Sequence, residues 1–210
     1  MRGRKRSSST FGPHVFLGKG TEIENGVLVG YKPSRILQDE KTFIGELSRL
    51  RVGTIIYAGT HIGKKLETGH HVVIREENVI GDEVCIWSQT VVDYGCRIGH
   101  RVKIHNHVYL AQYTVVEDDV FMGPGTVTTN DKYIVLKSFP GPHLHKGARI
   151  GAGTILLPGV HVGSNSLIGA GSVVTKDIPD GVVAYGNPAR IHGSIEAFQK
   201  ERKKVLESFK

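Results

Sequence analysis

Two cysteines, two methionines, one tryptophan and eight prolines are all that this chain of 210 residues has of those types. So few cysteines exclude a disulfide-stapled scaffold, and Cys85 and Cys96 read as small buried thiols in a chain that needs an ordinary core. Eight prolines beside 27 glycines exclude a collagen, which needs glycine at every third position. No stretch approaches the roughly 18 consecutive apolar residues of a membrane span, and the opening arginines are not followed by an apolar signal region. The expectation is one cytoplasmic domain with no membrane contact. The formal charge of +7 does not point to nucleic acid either. Arg2, Arg4, Lys5 and Arg6 supply four of those charges, no aromatic residue interleaves with them, and the rest of the chain carries only +3.

What the chain does have is a period. Aliphatic residues recur every six positions through Ile44, Leu50, Ile56, Ile62, then Ile74, Ile80, Ile86, Val92, Ile98, Ile104, Leu110, Val116 and Met122, broken only by Thr68. Four residues after each stands a small or β-branched side chain, with Leu66 and Asn78 as exceptions. The register precedes this run at Leu17, Ile23 and Val29 and returns at Ile150, Leu156, Val162, Ile168 and Val174. A barrel or sandwich alternates with period two and turns at variable spacing, which this sequence does not do. Each hexad reads as a short strand and a turn. Three hexads close a triangular coil of about 18 residues, and coils stack at about 4.8 Å so that every aliphatic side chain lies on its equivalent one coil below.

A single coil cannot bury its own ladder, so the ends need caps. Behind Ser194 as N-cap, Ile195, Phe198, Val205, Leu206 and Phe209 share one helical face, which predicts a helix packed on the last coil or on a neighbouring subunit. The expected organisation is a basic tail over 1–13, a β-helix over 14–192 with excursions at about 31–43 and 129–148, and a C-terminal helix within 193–210.

The hexads, together with Ile168-Gly169-Ala170-Gly171 and the closing Gly186-Asn187-Pro188-Ala189-Arg190, resemble the hexapeptide-repeat acyltransferases, most closely the branch that acetylates 3-amino sugars linked to nucleotides. The resemblance implies an all-β fold, a left-handed parallel β-helix with a C-terminal α-helix. The hand comes from the resemblance alone, since spacing says nothing of it. It also implies a homotrimer, with acetyl-CoA as co-substrate in a groove between subunits and no metal requirement. Gly151, Ala152, Gly169 and Ala170 are then the backbone-exposing residues along the pantetheine arm, with Lys176 and Arg190 for the phosphates. Acyl transfer needs an oriented nucleophile and a route for its proton, and His105, Asn106 and His107 are the candidates that line the acceptor site. Asn130, Asp131, His143 and His145, in or beside the second excursion, are the candidates for binding an amino-sugar or nucleotide-sugar acceptor. Related enzymes keep a catalytic histidine where Asn130-Asp131 stands, and its absence here puts a protein base in doubt.

Two readings from other classes share the same repeats. A zinc protein like the gamma-class carbonic anhydrases would use His100 and His105, but the positions one coil earlier, Asp82 and Trp87, supply no third imidazole. A silent scaffold would use the helix alone, and would bind no acetyl-CoA.

Overall fold

The computed structural model describes residues 9–131 and 140–208. The hexads form short strands, mostly of two residues, that wind around a triangular core, and until the closing hairpin each pairs in parallel with the strand three places away. This makes three sheets of nine, eight and ten strands among the described residues, here called A, B and C. Sheet A runs from Thr10–Phe11 to Val173–Val174, sheet B from Val15–Leu17 to His161–Val162, and sheet C from Glu22–Ile23 to Ala189–Ser194. The register is the 18-residue spacing itself: Ile80 lies opposite Ile98, Ile86 opposite Ile104 and Val92 opposite Leu110. The helix resumes at His143–Leu144, so the second excursion ends before the expected residue 148, and the ladder bridges it with Val116 opposite Leu144 and Met122 opposite Ile150.

Period six works because only one residue of each two-residue strand points inward. Ile80, Ile86, Val92, Ile98 and Ile104 are at most 3% exposed, and each such side chain contributes roughly 1.5–3 kcal/mol by leaving water. The irregular positions have local reasons. Thr68 sits in the ladder because its hydroxyl accepts from Arg51 N–H at 3.0 Å and meets Thr54 Oγ1 at 3.0 Å. Asn78, fully buried, donates to Arg75 C=O at 2.8 Å and accepts from Cys96 N–H at 2.7 Å, so it ties two coils together.

Every coil turns three corners, and many corners hold a residue in the left-handed region, His71, Gln89, Arg101 and His107 among them. That conformation costs a residue with a Cβ about 1–2 kcal/mol. Stacking offsets it, because the same residue donates its N–H to a corner carbonyl one coil earlier, as Arg101 does to Asp82 at 2.8 Å and Gln89 to His70 at 2.9 Å.

The structure departs from expectation at the ends and on the outside. Thr10–Phe11 already pairs with Leu28–Val29, so the helix begins inside the expected tail; residues 1–8 lie outside the described residues. Leu17 is 43% exposed, because no complete coil covers it. Cys85 faces outward and is half-buried, whereas Cys96 is fully buried and burial pushes its thiol up to about 12. The last coil closes with an antiparallel hairpin, Val182–Gly186 against Ala189–Ser194, which no hexad announced. The C-terminal helix, Ile195–Glu207, starts at the expected N-cap, where Ser194 Oγ accepts from Ala197 N–H at 3.2 Å. It buries none of its side chains on this chain, and Phe198, Val205 and Leu206 stay 42–53% exposed; Phe209 lies outside the described residues. No helix among the described residues is long and apolar enough to cross a membrane.

Candidate functional site

Three sheets leave three edges, and the edge a residue occupies decides what it can meet. The corner from sheet C to sheet A carries, coil upon coil, Gly69-His70-His71, Trp87-Ser88-Gln89, His105-Asn106-His107, Gly123-Pro124-Gly125, Gly151-Ala152-Gly153 and Gly169-Ala170-Gly171. Backbone bonds run up this edge from His107 N–H to Ser88 C=O (3.1 Å), Gly125 to Asn106 (3.0 Å), Gly153 to Pro124 (2.9 Å) and Gly171 to Ala152 (2.8 Å). His105, Asn106 and His107 therefore share one line with Gly151, Ala152, Gly169 and Ala170. Asn106 and His107 are exposed, with no side-chain hydrogen bond among the described residues.

The upper part of this edge carries no side chain at its left-handed corner position. His71, Gln89 and His107 show that the corner conformation accepts a Cβ, yet the equivalent positions above them are Gly125, Gly153 and Gly171. A Cβ added at Gly153 or Gly171 would meet nothing within 4 Å. Turn geometry does not demand glycine there; the result is an open lane along exposed backbone.

Beside the lower part, a groove of about 780 Å³ crosses the outer face of sheet C, lined by Cys85, Trp87, Lys103, His105, Phe121 and Arg149, with Glu83, Arg101 and Asp119 at its far side. His105 is held between two aromatic neighbours, 5.8 Å from Trp87 and 5.0 Å from Phe121 by ring centroids. Aromatic faces next to Lys103 and Arg149 suit a ligand that combines a flat ring with phosphate. Sequence reasoning missed Trp87, Lys103, Phe121 and Arg149, although each directly precedes or follows an inward aliphatic residue and so had to point out.

The remaining candidates are elsewhere in the same chain. Asn130 follows the sheet A strand Val127–Thr128 on the A-to-B edge, where its amide donates to Gln112 Oε1. Gln112 in turn donates to Asp93 at 2.6 Å, as Tyr109 does at 2.8 Å. Burial and the Asp93 carboxylate together push the Tyr109 phenol up to about 12. Asp131 is exposed at the same edge, and residues 132–139 lie outside the described residues. Lys176 also stands on the A-to-B edge, exposed after Val173–Val174, so within the chain it does not meet the Gly-Ala corners. Arg190 sits exposed in the closing hairpin, opposite Tyr185, and Tyr185 backs Gly169.

His143 and His145 are not part of the edge that carries His107. They occupy the outer face of sheet B and its corner toward sheet C, where His143 lies opposite His161 in the next coil. Glu117 Oε1 accepts from His143 Nε2 at 2.8 Å and His145 Nδ1 at 3.0 Å, and His145 Nε2 stands 3.2 Å from His161 Nδ1. Burial holds the His143 imidazole low against the pull of Glu117. Burial would raise Glu117, but Lys146 N–H and the two histidines hold it below the usual carboxylate range. His161 was missed, although the 18-residue repeat places it directly over His143. His100 and His105, the pair required by the carbonic-anhydrase reading, stand on different edges, with His100 Nδ1 accepting from Asp82 N–H at 3.0 Å.

These features define a left-handed parallel β-helix built on a six-residue repeat. Residues 141–176 match the family described as bacterial transferase hexapeptide (six repeats). Among curated relatives, a dTDP-3-amino-3,6-dideoxy-α-D-galactopyranose 3-N-acetyltransferase of Aneurinibacillus thermoaerophilus is 41% identical over 59 residues, 28% of this chain and 31% of that protein. The match thus spans less than a third of that relative. Among solved structures, a UDP-N-acetylglucosamine acyltransferase from Bacteroides fragilis superposes with a TM-score of 0.76 at 17% identity, over 92% of this chain and 76% of that one. That likeness speaks to the fold. A serine acetyltransferase from Brucella abortus, solved with coenzyme A, is 33% identical over 48% of this chain and 40% of its own, at a TM-score of 0.43.

Proposed function

We propose that this protein transfers the acetyl group of acetyl-CoA to the amino group of a nucleotide-linked amino sugar, acting as a cytoplasmic homotrimer without nucleic acid as partner. The observation that carries the reading is the single edge on which Asn106 and His107 stand in line with the side-chain-free corners at Gly125, Gly153 and Gly171. The amide-rich pantetheine arm fits a lane of exposed backbone, and lying along it the thioester reaches toward His107. The cation-lined, aromatic groove beside His105 suits the nucleotide end of the acceptor.

In the reaction the amine nitrogen attacks the thioester carbonyl carbon, a C–N bond forms and the C–S bond breaks. The amine proton ends on the departing CoA sulfur, directly or through water. His107 orients the amine and Asn106 offers a donor to the acceptor. Asn130 and Asp131, on the opposite edge of sheet A, reach this site from the neighbouring subunit, as does Lys176. His143 and His145 drop out of the acceptor site, since they lie on the far face of the helix.

The test is a screen of amino-sugar nucleotides with thiol release as readout, repeated with His107→Ala. A productive acceptor is expected, with a loss in kcat of about tenfold, the worth of one neutral hydrogen bond of roughly 1 kcal/mol. A thousandfold loss at unchanged acetyl-CoA affinity would make His107 the base, whose removal costs roughly 10² to 10⁴. Failure to bind acetyl-CoA at all would favour the scaffold reading.

A further inference from the structure

The strongest cluster of chemistry outside that edge is the histidine triplet on sheet B. We propose that His143, His145 and His161 together hold one divalent transition-metal ion of borderline softness, zinc by preference, with Glu117 as their orienting carboxylate.

The argument begins with register. His143 and His161 are opposed in adjacent parallel coils, so their side chains leave the sheet about 4.8 Å apart and on the same face. His145, two residues after His143, points outward again at the corner. One ring nitrogen from each of the three lies within 4.8 Å of the others. Two nitrogens bound at 2.0–2.1 Å to a tetrahedral ion stand about 3.3 Å apart. His145 Nε2 and His161 Nδ1 are already 3.2 Å apart.

Glu117 completes the arrangement. By accepting from His145 Nδ1 it fixes the tautomer in which Nε2 is free of its proton and faces His161. The same oxygen accepts from His143 Nε2, and Lys146 N–H donates to the other oxygen at 2.9 Å, so the carboxylate cannot rotate away. A carboxylate behind ligating imidazoles is the usual outer shell of a metal site. Imidazole selects zinc, nickel or copper over magnesium and calcium, which require oxygen. Three protein ligands leave a fourth position for water.

The ligands and Glu117 come from three successive coils, including the first strand described after the second excursion, so the ion clamps the helix where it resumes. The face involved lies across the helix from the C-to-A edge. Metal binding can therefore fail while acetyl transfer stands, and the reverse.

The experiment uses the full chain, stripped with chelator, dialysed against micromolar zinc and analysed for metal. About one zinc per chain is expected, with a rise in Tm as an ion binding the folded state alone must give. Cobalt in its place should show the intense visible bands of a tetrahedral site. His161→Asn, at an exposed position that the fold does not need, should weaken binding at least tenfold and abolish the Tm rise, while His61→Asn on the same sheet face leaves both unchanged. Glu117→Gln provides a second reading, with affinity reduced about tenfold. Substoichiometric zinc in the parent chain, or equal zinc in the parent and His161→Asn proteins, overturns the proposal.

Discussion

Glu76 is the most deeply buried charge among the described residues. Its side chain is fully buried on the A-to-B edge, where Arg75 Nη2 and Arg35 Nε reach it at 2.9 and 2.7 Å. Arg35 also lies over the Tyr94 ring, 4.1 Å from its centre, so this carboxylate holds the first excursion against the helix. Burial by itself would raise the Glu76 carboxyl, yet its hydrogen bonds and the two guanidinium groups hold it below its ordinary value. A folded-state pKa below the unfolded one contributes stability that is present above the unfolded value, roughly 4.3, and is lost as pH falls through the folded value. Glu76→Gln should therefore lower Tm at pH 7 and flatten its decline between about pH 5 and 3. At neutral pH the cost should be about 2 kcal/mol, below the 3–5 of a wholly buried broken pair because both arginines are one-third exposed. Thermal melts across that range check it. A variant whose Tm parallels the parent at every pH would remove Glu76 as the acid-sensitive lock.

Among the elements, the corner is where legibility ran out. The inward ladder was readable because one aliphatic residue in six is a strong and unambiguous pattern, and its exceptions at Thr68 and Asn78 proved to be hydrogen-bonded rungs. The edge assignment was equally present in the numbering. Successive hexads fall on sheets C, A and B in rotation, so counting them by threes separates His107 from Asn130 and both from His143. Within one chain the candidates therefore stand on three edges, and only packing between copies can bring any of those edges together. The closing hairpin could not be read, because Val182–Gly186 leaves the period of six for an antiparallel pair whose partner is set by chain return. The corner glycines make a testable point about function. Gly153→Gln and Gly171→Gln each place a side chain in the open lane, at a conformational cost of about 1–2 kcal/mol that a helix of this length absorbs. Acetyl-CoA affinity should fall at least tenfold with the far-ultraviolet spectrum unchanged, as calorimetric titration would show. Unaltered affinity in both variants would move the cofactor off this edge.

For the whole molecule, the three outer faces are chemically unlike. Sheet C presents a mixed column, Arg49, Glu67, Cys85, Lys103, Phe121 and Arg149. Sheet A presents one unbroken apolar column, Ile55, Val73, Val91, Tyr109, Val127, Ile155 and Val173, in register from coil to coil. A flat apolar strip of that length on a lone chain marks a packing surface. Three copies packed by sheet A around an axis would set the C-to-A edge of one, with His107, against the A-to-B edge of the next, with Asn130, Asp131 and Lys176. Residues that one chain holds apart then complete one site, and the exposed apolar face of the C-terminal helix gains a neighbour. Light scattering should accordingly give three times the chain mass of 23.0 kDa. Val91→Arg, at the middle of the column and only half-buried in the single chain, should yield a folded monomer that has lost acetyl transfer, because a charge forced into an apolar interface lacks a partner. A parent chain that is monomeric at micromolar concentration, or a Val91→Arg protein that remains trimeric and active, would place the site wholly within one subunit and leave Asn130 and Asp131 without a part in it.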